Sequence, residues 1–376
     1  MPETDRSRRR AAASSVRPPR SVTARLLILG AGSSLGGNLI RSLRAGDPSL
    51  FIVGCNESAF FLNKSEADRN YVLPFFEHNF SATLRRIVKA EHIDLIMPTG
   101  DGDVLRLSKA RDKVGCRTFL PSTKVLERCQ DKYGLSIFLR KRGIAAPLTY
   151  AIGTEDDIEE VFQRFKNHSR LWCRIRSGSG SAGAIPVITP EQVRSWIAYW
   201  DEMRGVSAEY FTLSEYLPGR DYCVQCLWDN GRLVLAKMAE RILYLDSGSP
   251  SGVSSMPALA KTLYDPSIVE TCARAIRALD RKASGVFFVD LKENEEGTAC
   301  ITEINAGRFA TMTNIHDLTG AYNMAVLWVR LGMGEKVEIP HASDFDGDYY
   351  LVRAMDTLPL VIRAENVHAR LIDTES

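Results

Sequence analysis

The stretch Arg25 to Gly32, RLLILGAG, is an apolar run closed by glycines. A short run without polar alternation predicts a strand buried on both faces, as in a parallel sheet. The period then changes. In SSLGGNLIRSLRAG the apolar residues fall at Leu35, Leu39, Ile40 and Leu43, which predicts a helix. SLFIVGCN predicts a second strand, IDLIMPTG a third, Val104 to Val114 a helix and CRTFLP a fourth strand. Strand and helix alternate in this way over residues 24–125, the pattern of a doubly wound α/β sheet with helices on both faces.

Beyond this the texture shifts. DKYGLSIFLRKRGIAAPLTY predicts a helix ended by glycine and proline. SRLWCRIR and AGAIPVIT predict two strands around a glycine–serine loop, and EYFTLSEYLPGRDYCVQCLWDNGRLVLAKMAERI predicts further strands with DNG as a hairpin turn. PSIVETCARAIRALDRK is an amphipathic helix, and GVFFVDLKENEEGTACITEIN is another hairpin. The second part is therefore α+β with mostly antiparallel strands. Its end, DGDYYLVRAMDTLPLVI, predicts one more strand and a short closing segment.

Charge narrows the partners. The 376 residues carry a formal net charge of +2, but residues 1–20 hold six arginines against Glu3 and Asp5, which leaves the remainder weakly acidic. Such a body argues against a nucleic-acid surface. No run of eighteen apolar residues occurs, so no membrane span is expected. Residues 1–23 read as a disordered basic tail; their Arg-, Ser- and Ala-rich composition also suits a transit peptide. The eight cysteines lack paired metal spacing, and the six histidines form no H-x-x-x-H pair. Cys223 and Cys226, three apart on a strand, point to opposite faces. Ordinary thiols in a reducing cytoplasm are expected.

Four stretches carry candidate chemistry. GAGSSLGG has glycines at 30, 32 and 36, a spacing one residue longer than the dinucleotide fingerprint, and reads as a tight strand–helix turn. RIRSGSGSAGA brings Gly178, Ser179, Gly180, Ser181 and Gly183 behind Arg174 and Arg176; it is either a hairpin tip or a phosphate-wrapping loop, and the two arginines favour phosphate. LSEYLPGRDY sets Glu215 and Asp221 on either side of a Pro–Gly turn, where carboxylates can accept from a base or a ribose, or simply end a strand. In FFVDLKENEEGTACITEIN, Glu303 and Asn305 are two apart and share a strand face, with Asp290 on the preceding strand. Two carboxylates and an amide oxygen inside apolar strands suit magnesium, a hard cation that keeps water and phosphate in its shell.

Taken in order, these motifs resemble the ATP-grasp superfamily, above all the ATP-binding half-modules of carbamoyl phosphate synthase and related carboxylate–amine ligases. The resemblance runs from about residue 24 to 335. It implies a Rossmann-like pre-ATP-grasp domain over residues 24–125, then a two-lobed ATP-grasp fold. The small lobe would cover 126–210 with the glycine loop, the large lobe 211–340 with the magnesium site, and 341–376 would close the chain. Lys132 of Asp131–Lys132 and Arg174 match the phosphate-holding cations, and the glycine loop 178–183 the closing lid. Glu215, Tyr216 and Leu217 match the adenine hinge, and Asp221 the ribose acid. Asp290, Glu303 and Asn305 match the ligands of two magnesium ions, which manganese can replace, and Arg308 matches a basic residue near the transferred phosphate. The chain departs from the pattern in having Asn-Ala-Gly-Arg at 305–308, one residue longer than Asn-Pro-Arg.

The implied reaction activates a carboxylate with ATP and joins it to an amine, with small molecules as partners, often from a homodimer. Arg241 and Lys237 stand where some members bring a cation to the γ-phosphate, although exposed strand-end cations are a plainer reading. Residues 246–255, DSGSPSGVSS, read as a second loop over the substrate. Arg353 reads as a surface arginine, with a substrate carboxylate as its alternative partner. Two rival readings are a non-catalytic nucleotide-binding protein and an NAD(P)-dependent oxidoreductase built on GAGSSLGG.

Overall fold

Strands Arg25–Leu29 (β1), Phe51–Asn56 (β2), Arg69–Val72 (β3), Leu95–Met97 (β4) and Arg117–Thr118 (β5) pair in parallel in the order β3-β2-β1-β4-β5. Side chains of β1 alternate between two cores: Leu26 and Ile28 enter one, Leu27 and Leu29 the other. Both faces are thus covered, which is why this strand shows no polar alternation. The computed structural model describes residues 24–73, 77–178, 181, 183–245, 253–354, 358 and 360–366. The basic tail, Ser179, Gly180 and most of the expected second loop lie outside them.

The glycine turn after β1 is filled by the protein itself. Gly30 and Gly32 both have φ near +81°, and a Cβ on Gly32 would stand 2.0 Å from the Phe61 carbonyl oxygen. A Cβ on Gly36 would stand 2.4 Å from the Gly30 carbonyl oxygen. Close packing of backbone at this turn is therefore enough to require glycine at these positions.

Several elements differ from expectation. The strand β3 was not foreseen, because RNYV is mostly exposed and has no apolar alternation. CRTFLP contributes only the two residues of β5. The helix expected from Val104 starts at Asp101, after the N-cap Gly100, and places Asp101 and Asp103 in its first turn, where carboxylates complement the dipole. The single helix expected after residue 130 has a partner before it: Thr123–Gln130 and Lys132–Arg140 are separated at Asp131, whose carboxylate accepts from the Gly134 N–H at 3.0 Å and caps the second helix.

Strands Thr149–Ala151 (β6), Leu171–Ile175 (β7), Ile185–Val187 (β8) and Phe211–Glu215 (β9) form an antiparallel sheet in the order β6-β9-β7-β8. It has its own core, where Cys173, Phe211 and Leu213 meet Val193 and Ile197 of the helix Pro190–Arg204. Strands Asp221–Asp229 (β10), Arg232–Tyr244 (β11), Pro257–Leu263 (β12), Gly285–Glu293 (β13), Ala299–Ala306 (β14), Tyr349–Val352 (β15) and Leu360–Arg363 (β16) form the large sheet, ordered β14-β13-β10-β11-β12-β15-β16. The last two strands both join it, so the closing segment is a hairpin. Cys223 and Cys226 of β10 enter different cores, as strand geometry requires. The core beneath β1 also contains Leu227 and Val286 of the large sheet and Trp328 of the helix Met324–Gly332, so the first sheet and the large sheet share one interior.

His316 is buried on the short helix Thr313–Asp317, with Nδ1 unpaired. Burial, reinforced by Lys237 and Arg241, lowers its pKa to about 3. The unfolded chain therefore takes up a proton near pH 6.5 that the native chain refuses down to about 3. This contribution is fully present above pH 6.5 and is lost as pH falls through that window. Comparison of urea midpoints at pH 7.5 and pH 5 is expected to show a smaller acid loss for His316→Leu than for the natural chain.

Candidate active site

The hairpin β13–β14 sets the site. Its register places Asp290 opposite Glu303 and Phe288 opposite Asn305, and a bulge follows Asp290. The extra residue, Thr302, donates its hydroxyl to the Asp290 carbonyl at 3.1 Å. Asp290, Glu303 and Asn305 consequently share one face and line a cavity of about 830 Å³. Ile301 and Ile304 point the other way into the core. Asn305 Nδ2 donates to Asp290 Oδ2 at 2.9 Å. Burial pushes the Asp290 carboxyl up to about 6; Arg241 opposes the shift and Glu303 adds to it.

Cations from other elements converge on these carboxylates. Lys132 opens the helix Lys132–Arg140, donates to the Gly178 carbonyl, and lies 3.5 Å from Glu303 Oε2. Arg174 on β7 reaches the same oxygen at 3.3 Å. Burial draws both below their usual range, while Glu303 works to keep them charged. Lys132 is held in place through its neighbour: Asp131 accepts two bonds from Arg176, at 2.7 and 2.6 Å. Arg241 on β11 pairs with Asp290 and, at 3.1 Å, with Asp221. Arg308 donates to Asn305 Oδ1 at 2.6 Å and to both oxygens of Asp101. The longer Asn-Ala-Gly-Arg turn is accommodated by Gly307, at φ +82°, whose N–H donates to the Val286 carbonyl at 2.7 Å.

The other anticipated residues divide. Gly178, Ser181, Tyr216 and Leu217 line the cavity; Gly183 packs against Ile175 instead. Glu215 also lines it, but one carboxylate oxygen accepts from the Leu148 N–H at 2.7 Å and the other lies 3.6 Å from His168 Nε2. Both Asp221 oxygens are engaged, one by Arg241 and one by the Tyr244 hydroxyl at 2.6 Å. Lys237 is neither exposed nor at the cavity: it is 6% exposed, pairs with Asp344 at 2.9 Å and donates to the carbonyls of His316, Thr319 and Tyr322. Arg353 is not a surface arginine. It is 8% exposed and braces the carbonyls of Thr311 and Pro257.

Sequence reasoning missed Asp101, Trp172, Tyr244 and Lys292, all of which line the cavity. Asp101 is supplied by the first sheet's helix, far from the motif it serves, and only its acidic GDGD context marked it. Among the described residues no cluster of three or more His, Cys, Asp or Glu side chains occurs. The set at the hairpin is two carboxylates and an amide oxygen. It fits a divalent oxygen-seeking cation: Asp290 faces Glu303 across the strand pair, and burial together with the Glu303 charge raises the Asp290 carboxyl, a cost that a bound cation would relieve.

No protein-family model and no curated protein matches the chain by sequence. Solved structures do match. The L-amino acid ligase from Bacillus licheniformis superposes with a TM-score of 0.64 at 14% identity, over 82% of this chain and 74% of that one. Biotin carboxylase from Campylobacter jejuni gives 0.69 at 11%, over 88% and 75%. Carboxyaminoimidazole ribonucleotide synthase from Aspergillus clavatus, solved with ATP, gives 0.65 at 14%, over 88% and 82%. The chain has the ATP-grasp fold. In the chain the parallel sheet precedes the two antiparallel sheets, and residues of all three units line the cavity.

Lys237 serves the fold in this arrangement. Lys237→Met leaves the buried Asp344 carboxylate without its cation and is expected to cost about 3–5 kcal/mol in urea unfolding.

Proposed function

We propose that the chain is an ATP-dependent ligase that activates a carboxylate as an acyl phosphate and joins it to an amine or similar nucleophile, releasing ADP and phosphate. The observation that carries this reading is the facing of Lys132 and Arg174 on Glu303, beside Asp290 and Asn305, in one cavity of about 830 Å³. Further support comes from neighbours of the same fold that are ligases, carboxylases and synthases, one of them complexed with MgADP. A homodimer of cytoplasmic location belongs to the same reading.

In this mechanism a carboxylate oxygen of the acid attacks the γ-phosphorus, the bond to the β-phosphate oxygen breaks, and ADP leaves. The amine then attacks the acyl carbon and phosphate departs. No covalent nucleophile of the protein is needed; positioning and charge neutralisation carry the step. Lys132 and Arg174, now spending their charge on Glu303, turn it to phosphate oxygens. Asp290, Glu303 and Asn305 would hold magnesium, two ions in this reading, which would neutralise phosphate charge. Asn305 and Asp290 are oriented by their mutual hydrogen bond, and Arg308 by Asp101. Leu217 and Tyr216 form the base-binding hinge, with Trp172 opposite Tyr216 at a ring-centroid distance of 6.3 Å. Gly178 and Ser181, which line the cavity, lie on the side of the phosphates in this reading.

The spacing of Gly30, Gly32 and Gly36, one residue longer than the dinucleotide fingerprint, speaks against the oxidoreductase alternative. Glu303→Gln removes a charge without removing volume. It is expected to lower ADP release over a panel of carboxylates and amines by about 100-fold or more, with an unchanged circular dichroism spectrum. Turnover at the natural rate in this variant would sink the assignment.

A further inference from the structure

Five cations line the cavity: Lys132, Arg174, Arg241, Lys292 and Arg308. Four of them are committed to carboxylates. Lys132 and Arg174 share Glu303, Arg241 bridges Asp221 and Asp290, and Arg308 holds Asp101. Among the described residues, no carboxylate lies in an ion pair with Lys292. The nearest candidate by register is Asp221, directly opposite it on β10. Both oxygens of Asp221 are already occupied, by Arg241 and by the Tyr244 hydroxyl.

The position of Lys292 is fixed. It lies two residues after Asp290 on β13, so it shares that residue's face about 7 Å along the strand. The next residue, Glu293, clamps the turn that follows the hinge. Its carboxylate binds Arg220 at 3.0 Å and the Tyr222 hydroxyl at 2.7 Å, and its carbonyl accepts from the Gly219 N–H at 3.0 Å. Lys292 therefore stands between the turn at 216–220 and the carboxylates of the hairpin.

We propose that Lys292 holds the α-phosphate of the bound nucleotide. This rests on the reading of the cavity as an ATP site, with the base at the hinge and the outer phosphates at Lys132, Arg174 and the hairpin. A nucleotide laid along that line has its ribose and first phosphate above Lys292. A cation with no ion-pair partner among the described residues is the group that gains most from an incoming anion, since no existing pair there must be broken. Lysine is a point charge on a flexible stem, suited to a single phosphate oxygen rather than to a flat base.

The test is a titration series of adenosine, AMP and ADP with magnesium, on the natural chain and on Lys292→Met and Lys292→Arg. For Lys292→Met, AMP and ADP are expected to weaken by about 10-fold, the size of one charge-assisted hydrogen bond, with adenosine unchanged. Lys292→Arg is expected to keep most of the AMP affinity. Equal weakening of adenosine and AMP would make Lys292 a support of the base pocket and overturn the proposal, as would no change in any ligand. If the natural chain binds none of the three, the ATP reading itself falls, and that result is distinct from any pattern in the variants. Melting curves of both variants exclude a general loss of fold.

Discussion

Two carboxylates face one another across a pair of buried strands, and much of the molecule is arranged around that fact. Burial and the facing Glu303 charge act in the same direction on Asp290, and both push its carboxyl up. The compensation arrives from three directions. Lys132 and Arg174 come from the helix Lys132–Arg140 and from β7 of the four-stranded sheet, Arg241 from β11 of the large sheet, and Arg308 from the turn that follows β14. Three of these four cations have a brace: Asp131 and Arg176 position Lys132, Asp221 holds Arg241, and Asp101 holds Arg308. Four of the five cations that line the cavity are thus matched by carboxylates of the protein itself.

Much of this hairpin was legible in the sequence because strand periodicity is strict. Polar residues two apart in an apolar run must share a face, so TEIN reported Glu303 and Asn305 directly. The supporting residues were less legible, for a common reason. A lysine that is buried on carbonyl oxygens looks, in sequence, like a lysine in water. Lys237 was misjudged on that ground, and its partner Asp344 lies in a different part of the chain. Arg353 was misread in the same way. The braces Asp101 and Tyr244 come into play only once distant elements have packed together.

The parallel sheet shows the same contrast. Its central strands β1, β2 and β4 were visible as apolar runs, because burial on both faces leaves no polar positions. Its edge, β3, was invisible because exposed strands carry no such mark. The glycine turn after β1 looked like a cofactor fingerprint in composition but differed in spacing. The packing of Phe61 against Gly32 explains why glycine is needed there without any ligand.

The shared interior beneath β1 makes the apparent modularity of the chain deceptive. Leu26 and Ile28 are solvated by Leu227, Val286 and Trp328 rather than by a core of their own unit alone. The four-stranded sheet, by contrast, closes its own core. A fragment ending near residue 125 would present half of a hydrophobic interior to water, and so would the remainder of the chain. Transplanting the two antiparallel sheets onto another leading sheet would therefore require recutting that interface, whereas the four-stranded sheet is the piece whose borders coincide with a natural seam.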